Sequence, residues 1–111
     1  MPDNSIQELM QRLKNVEYEE IRRESEAYLE AVFKVNAMEE IGLILEEYYG
    51  PAFKRAGVKP GREASECTKK YGGMQEEQVL YFRSQEGVSQ LAMIWPWQDG
   101  VRATVKIIQV L

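Results

Sequence analysis

The stretch "QVLYFRSQEGVSQLAMIWPWQDGVRATVKIIQV", residues 78–110, decides the fold. It divides into "QVLYFRS", "VSQLAMIW" and "VRATVKIIQV", each rich in branched or aromatic residues, with "QEG" and "QDG" between them. Branched and aromatic side chains fit a pleated, half-buried surface, so such runs favour strands. A glycine at the third position of a hairpin loop accepts a left-handed backbone without a Cβ clash. The pattern predicts a three-stranded antiparallel meander.

Register then follows from loop length. Three-residue loops at 85–87 and 98–100 pair Ser84 with Val88 and Trp97 with Val101. One face carries Val79, Tyr81, Leu91, Met93, Trp95, Ala103, Val105 and Ile107, and reads as the core side. The opposite face carries Leu80, Phe82, Gln90, Ala92, Ile94, Arg102, Thr104 and Lys106. A two-residue Asp-Gly turn would set Trp95 against Thr104 and Met93 against Lys106. A one-residue slip inverts every side chain, and here it mixes the two faces. The three-residue loops are the self-consistent choice.

Upstream, "SIQELMQRLKNV" carries a capping-box spacing at Ser5 and Glu8, followed by Ile6, Leu9, Met10, Leu13 and Val16 at helical intervals. "EYEEIRRESE" continues that stripe only through Ile21 and is otherwise charge, which suits a solvated helix face. In "AYLEAVFKV", residues 27–35, the alternation of Leu29, Ala31, Phe33 and Val35 suits a half-buried strand, although its composition also tolerates a helix. Asn36 and Glu39 have cap-like spacing ahead of "AMEEIGLILEEYYGPAFKRAG", whose Ile41, Ile44, Leu45, Tyr48, Ala52 and Ala56 share a helix face. Gly50-Pro51 should kink or break that helix, with Gly57 as a terminal cap. Residues 58–77 read as a long loop with a short helical turn near Ala64 to Lys69. The expected fold is α+β: one domain over residues 1–111, two main helices packed on an antiparallel sheet, in the order α-β-α-β-β-β.

Bulk chemistry narrows the function. The chain has 111 residues, a net charge of -4 and a single cysteine, Cys67, so no intrachain disulfide can form. It has no histidine, which removes the commonest general base, the commonest zinc ligand and every Ser-His or Cys-His pair. No carboxylate cluster has calcium-loop spacing, so no metal site, cofactor or catalytic residue is assigned. "MPDNSIQELM" lacks a signal-peptide pattern and no apolar run is long enough for a membrane helix, so a cytoplasmic protein is expected.

Three features invite a binding role. Trp97, in "IWPWQDG", is either a lid over the core edge or a stacking platform for a flat or cationic ligand. Residues 53–73 carry six positive side chains against two negative, whereas residues 1–52 carry five against twelve. Lys59, Arg62, Lys69, Lys70 and Tyr71 of that basic stretch are candidate ligand contacts, although no phosphate-loop motif is present and nucleic-acid binding is not expected. Lys69 and Lys70 could also lower the pKa of Cys67, although an inert thiol is the simpler state. Leu80, Phe82, Ala92 and Ile94 make the second sheet face too apolar for water, implying a covering helix or a second subunit. The leading expectation is a non-enzymatic binding protein that forms a homodimer through those four residues. The alternative is a small-molecule-binding domain with a pocket between sheet and helices, lined by aromatics and the basic loop.

Overall fold

A computed structural model describes residues 5–85 and 87–110. The expected α+β class is observed. Helix α1 (Ser5–Lys14) is followed by strands β1 (Glu20–Ser25) and β2 (Tyr28–Lys34), helix α2 (Met38–Tyr49), the short helix α3 (Arg62–Thr68), and the meander β3 (Val79–Gln85), β4 (Val88–Pro96) and β5 (Arg102–Val110). Short 3-10 turns at Val35–Ala37 and Lys69–Tyr71 lead into α2 and follow α3. All five strands join one antiparallel sheet in the order β1-β2-β5-β4-β3. No helix among the described residues is long and apolar enough to cross a membrane.

The apolar stripe of α1 is buried as its spacing implies: Ile6, Leu9, Met10, Leu13 and Val16 all lie in the core. They pack with Ile41, Ile44 and Leu45 of α2 on a sheet face built from Leu29, Ala31, Phe33, Tyr81, Ala92, Val105 and Ile107. Each fully buried large aliphatic side chain there contributes roughly 1.5–3 kcal/mol. Helix α2 stops at Tyr49, because Gly50 turns to a positive φ of 86° and Pro51 follows. Residues 52–57 therefore leave the helix, so Ala52 and Ala56 do not extend its apolar face and Gly57 caps nothing. The Asn36 and Glu39 cap does not form either: Ala37 occupies the N-cap position, without a side-chain hydrogen bond. The Ser5 half of the first capping box lies outside the described side chains.

Two further expectations change. First, "EYEEIRRESE" is not a helix face but contains β1, an edge strand. Only Ile21 of that strand packs on the core, so no apolar periodicity announces it. Its dense charge suits an edge that must not recruit other strands. Second, the meander adopts the other register. Leu80 pairs with Met93, Met93 with Lys106, and Trp95 with Thr104. Gln85 opposite Val88 leaves only two residues in the first turn. In the second, the Trp97 N–H donates to the Arg102 carbonyl (2.9 Å), leaving residues 98–101 in an even-length loop. Asp99 stiffens this loop, its Oδ1 accepting from the N–H groups of Val101 (2.8 Å) and Arg102 (3.1 Å). These bonds hold its carboxyl below the ordinary value of 3.8.

The reason is that the sheet has two covered faces. Leu80, Leu91, Met93 and Ile108 form a second buried cluster with Ala64 of α3, flanked by Tyr28, Cys67, Tyr71, Met74, Phe82 and Trp95. The mixing of faces that counted against the shorter turn is tolerated because α3 and its flanking loops cover the second face.

Lys54 fastens that cover to the sheet. Residue 54 forms an isolated bridge with Leu80, and the residue is only 4% exposed. The ammonium donates to the carbonyls of Gln75 (2.8 Å), Gln78 (2.6 Å) and Glu76. Replacing it removes a charged donor from three carbonyls at once, although Gln75 and Glu76 keep the N–H groups of Gln78 (3.1 Å) and Gly57 (2.8 Å), and hydrogen bonds to a charged group are the stronger kind. Lys54→Met should lower unfolding stability by about 2–4 kcal/mol in urea titration. Lys59→Met, on an exposed neighbour, should change it by less than about 0.5 kcal/mol.

Candidate functional site

The second sheet face is only partly covered, and an open cleft of about 680 Å³ remains over β1, β2 and β5. Its lining includes Arg23, Tyr28, Glu30, Lys70, Tyr71 and Lys106. Four separate elements supply these side chains. Tyr28 and Glu30 alternate along β2, and Lys106 stands directly opposite Glu30 on β5. Lys70 and Tyr71 come from the turn after α3.

Arg23 arrives through a bulge in β1. The β1–β2 register shifts between Ile21 and Arg23, with Ile21 opposite Ala31 and Arg23 opposite Glu30. Consecutive strand residues normally point to opposite faces, and a bulge breaks that alternation. Arg22 and Arg23 thus serve the same face: Arg22 lies 5.2 Å from the Trp97 ring centroid, and Arg23 lies 5.7 Å from that of Tyr28.

The floor is densely paired. Lys106 Nζ sits 3.6 Å from the Trp95 ring centroid and donates to the Tyr71 carbonyl (3.3 Å). Burial lowers its pKa, while the Glu30 carboxylate acts in the opposite direction. Tyr28 Oη donates to Glu30 Oε1 at 2.7 Å. Burial foremost, and then that carboxylate, raises the phenol pKa, so Tyr28 stays protonated. The Trp95 indole nitrogen is buried without an acceptor among the described residues.

The remaining expected site residues disperse. Trp97 is no free platform: its Nε1–H donates to Thr104 Oγ1 (2.8 Å), and Arg22 and Arg102 both lie over its ring. Arg102 is itself tied to Asp99 and Glu19. Lys69 is exposed beside the cleft but does not line it, and Lys59 and Arg62 line a separate groove. Leu80, Phe82, Ala92 and Ile94 do not share a face. Leu80 and Phe82 belong to the α3 side, and Ala92 and Ile94 pack under α1 and α2. Leu80 and Ala92 are fully buried, so the continuous apolar patch dissolves with the register that implied it. Burial raises the pKa of Cys67, opposite to activation by the neighbouring lysines.

Arg23, Tyr28, Glu30 and Lys106 were not among the expected site residues. Their convergence depends on β1 being a strand and on β2 pairing with β5, and neither has a local signature. Compared with known proteins, the chain matches no family model, no curated protein and no solved structure. The chemistry of the cleft therefore rests on its own residues.

Gly72 is where the turn after α3 meets the sheet. Its φ is +104°, and a Cβ there would lie 2.3 Å from Trp95 Cη2. Gly72→Ala combines left-handed strain with a steric clash against the indole. It should cost about 2–4 kcal/mol of unfolding free energy. Gly73→Ala, whose Cβ would meet open space at a similar φ of +77°, should cost about 1–2 kcal/mol in the same denaturant titration.

Proposed function

We propose that this protein is a non-enzymatic small-molecule-binding domain. Its ligand is a flat, ring-bearing anion, a carboxylate or phosphate, held in the cleft over β1, β2 and β5. The observation that carries this reading is the convergence of Arg23, Lys70 and Lys106 with the rings of Tyr28 and Tyr71 on one concave surface. The cleft also holds Glu24 and Glu30, so its lining carries a modest positive balance on a chain of net charge -4. Clefts that combine aromatic walls with a few converging polar groups are the usual form of small-ligand sites.

The chemistry divides by residue. Lys70, exposed and without an ion pair among the described residues, can meet an anionic group at the mouth. Arg23, beside Tyr28 on the edge strand, offers a planar fork suited to carboxylate or phosphate oxygens. Tyr28 and Tyr71 offer ring surface, and Glu30 can accept a donor from the ligand. The Tyr28 hydroxyl is held by Glu30 at 2.7 Å and kept protonated by burial, which supports a hydrogen-bonding role in binding rather than turnover.

The two tryptophans give one indole N–H signal each, and only Trp95 borders the cleft through its contact with Lys106. Titration with aromatic carboxylates and nucleoside monophosphates should shift the Trp95 signal saturably, with a dissociation constant below about 1 mM for at least one compound. The Trp97 signal, held by Thr104, should stay in place. Lys106→Met should weaken binding by about tenfold or more, the scale of a lost charged hydrogen bond. A panel that leaves Trp95 unmoved, or that shifts Trp97 alone, would overturn the assignment.

A further inference from the structure

A second concave surface lies on the far side of α3. A groove of about 600 Å³ runs between residues 52–55 and the first turn of α3, with Val58 and Lys59 along its length. Two exposed large apolar side chains line it, Phe53 at 48% and Val58 at 53%. Arg55, Lys59 and Arg62 surround them, with Glu63 the one acidic lining residue among the described residues. Arg55 and Lys59 form no ion pair among the described residues, and Arg62 is held only by Glu66 at 3.4 Å, both side chains being well exposed.

This groove is anchored rather than loose. Its wall is the 53–54 segment, whose two N–H groups both donate to the Leu80 carbonyl (2.8 and 3.0 Å), and Lys54 ties that segment to the 75–78 turn. Exposed apolar groups on a braced, concave and basic surface fit a ligand carrying both apolar anchors and negative charge. A polypeptide segment delivers both on one chain. A bilayer fits less well, because insertion needs apolar side chains on a projecting tip. Phe53 instead lies against Phe82, with ring centroids 5.8 Å apart.

We infer that the groove of Phe53, Arg55, Val58, Lys59 and Arg62 docks an acidic peptide segment with apolar anchors, supplied by a partner protein. The surface is independent of the cleft around Lys106, and the two can fail separately.

Fluorescence anisotropy with a short labelled peptide alternating glutamate and leucine tests this. The full chain should bind it, and binding should weaken several-fold as salt rises from about 0.05 to 0.5 M. Phe53→Ser and the double change Arg55→Ser with Lys59→Ser should each weaken binding by about tenfold, since one removes an anchor and the other two charges. Thermal unfolding should confirm that both variants remain folded, and Lys34→Ser, an exposed change elsewhere, should bind like the parent. Equal binding of a glutamate–glycine peptide would reduce the site to bulk charge, and equal binding of a glutamine–leucine peptide to unspecific apolar contact. Preferential binding of phosphatidylserine vesicles would make it a membrane surface. Any of these, binding unaltered in both groove variants, or no binding at all overturns the inference.

Discussion

The antiparallel register of β4 is the constraint on which the rest depends. Met93 stands opposite both Leu80 on β3 and Lys106 on β5, so these three side chains cross the sheet as one row on the α3 side. Lys106 continues that row to Glu30 of β2, and Glu30 to Arg23 of β1. A single row thus runs from a fully apolar end beneath α3 to a charged end at the sheet edge. The cleft lies where apolar gives way to charge, and a slip of β4 by one residue would turn Met93 and Trp95 away from the face that carries Lys106.

What leaves the cleft open is the size of the cover. Helix α3 spans only Arg62–Thr68, long enough to seal Leu80, Leu91 and Met93 but not β2 or β1. The Lys54 ammonium holds the 75–78 turn against one side of this cover, and the Gly72–Trp95 contact holds the other. Beyond Trp95, Lys106 and the Trp97 ring with its neighbours Arg22 and Arg102 shield the sheet instead of a helix. Long cationic side chains can cover apolar surface with their stems while keeping their charge accessible, and that suits a face that must both pack and bind. The two surfaces assigned here, the cleft and the Phe53 groove, flank the same short helix because it covers so little.

Local pattern sufficed where one side of an element is buried. The α1 stripe and the break at Gly50-Pro51 were legible because each is written in periodicity or in a backbone restriction, whereas residues 27–35 alternated like a strand but tolerated a helix and the turn near Ala64 to Lys69 showed only in outline. β1 was not legible: an exposed edge strand with one inward side chain, Ile21, has no period, and its charges look like a helix surface. The meander register was misread for a different reason. With one core face assumed, Met93 opposite Lys106 is an error; with a second covered face, it is the boundary between core and cleft. Tyr71 and Lys70 stand out in sequence only as part of a basic stretch, and Arg23, Tyr28 and Lys106 join them through long-range pairing. Trp97 drew attention by its composition, yet its hydrogen bond to Thr104 and its two arginine neighbours explain it as packing.

The register can be measured directly. Because Trp97 and Arg102 share a ladder hydrogen bond, alternate pairs along β4 and β5 are non-hydrogen-bonded, and Ile94 with Val105 is one of them. Such pairs bring their Hα atoms closest together. A nuclear Overhauser spectrum should therefore show a strong Hα–Hα cross-peak between Ile94 and Val105. A cross-peak joining Met93 to Val105 in its place would slip β4 by one residue against β5, part Met93 and Trp95 from Lys106, and contradict the cleft.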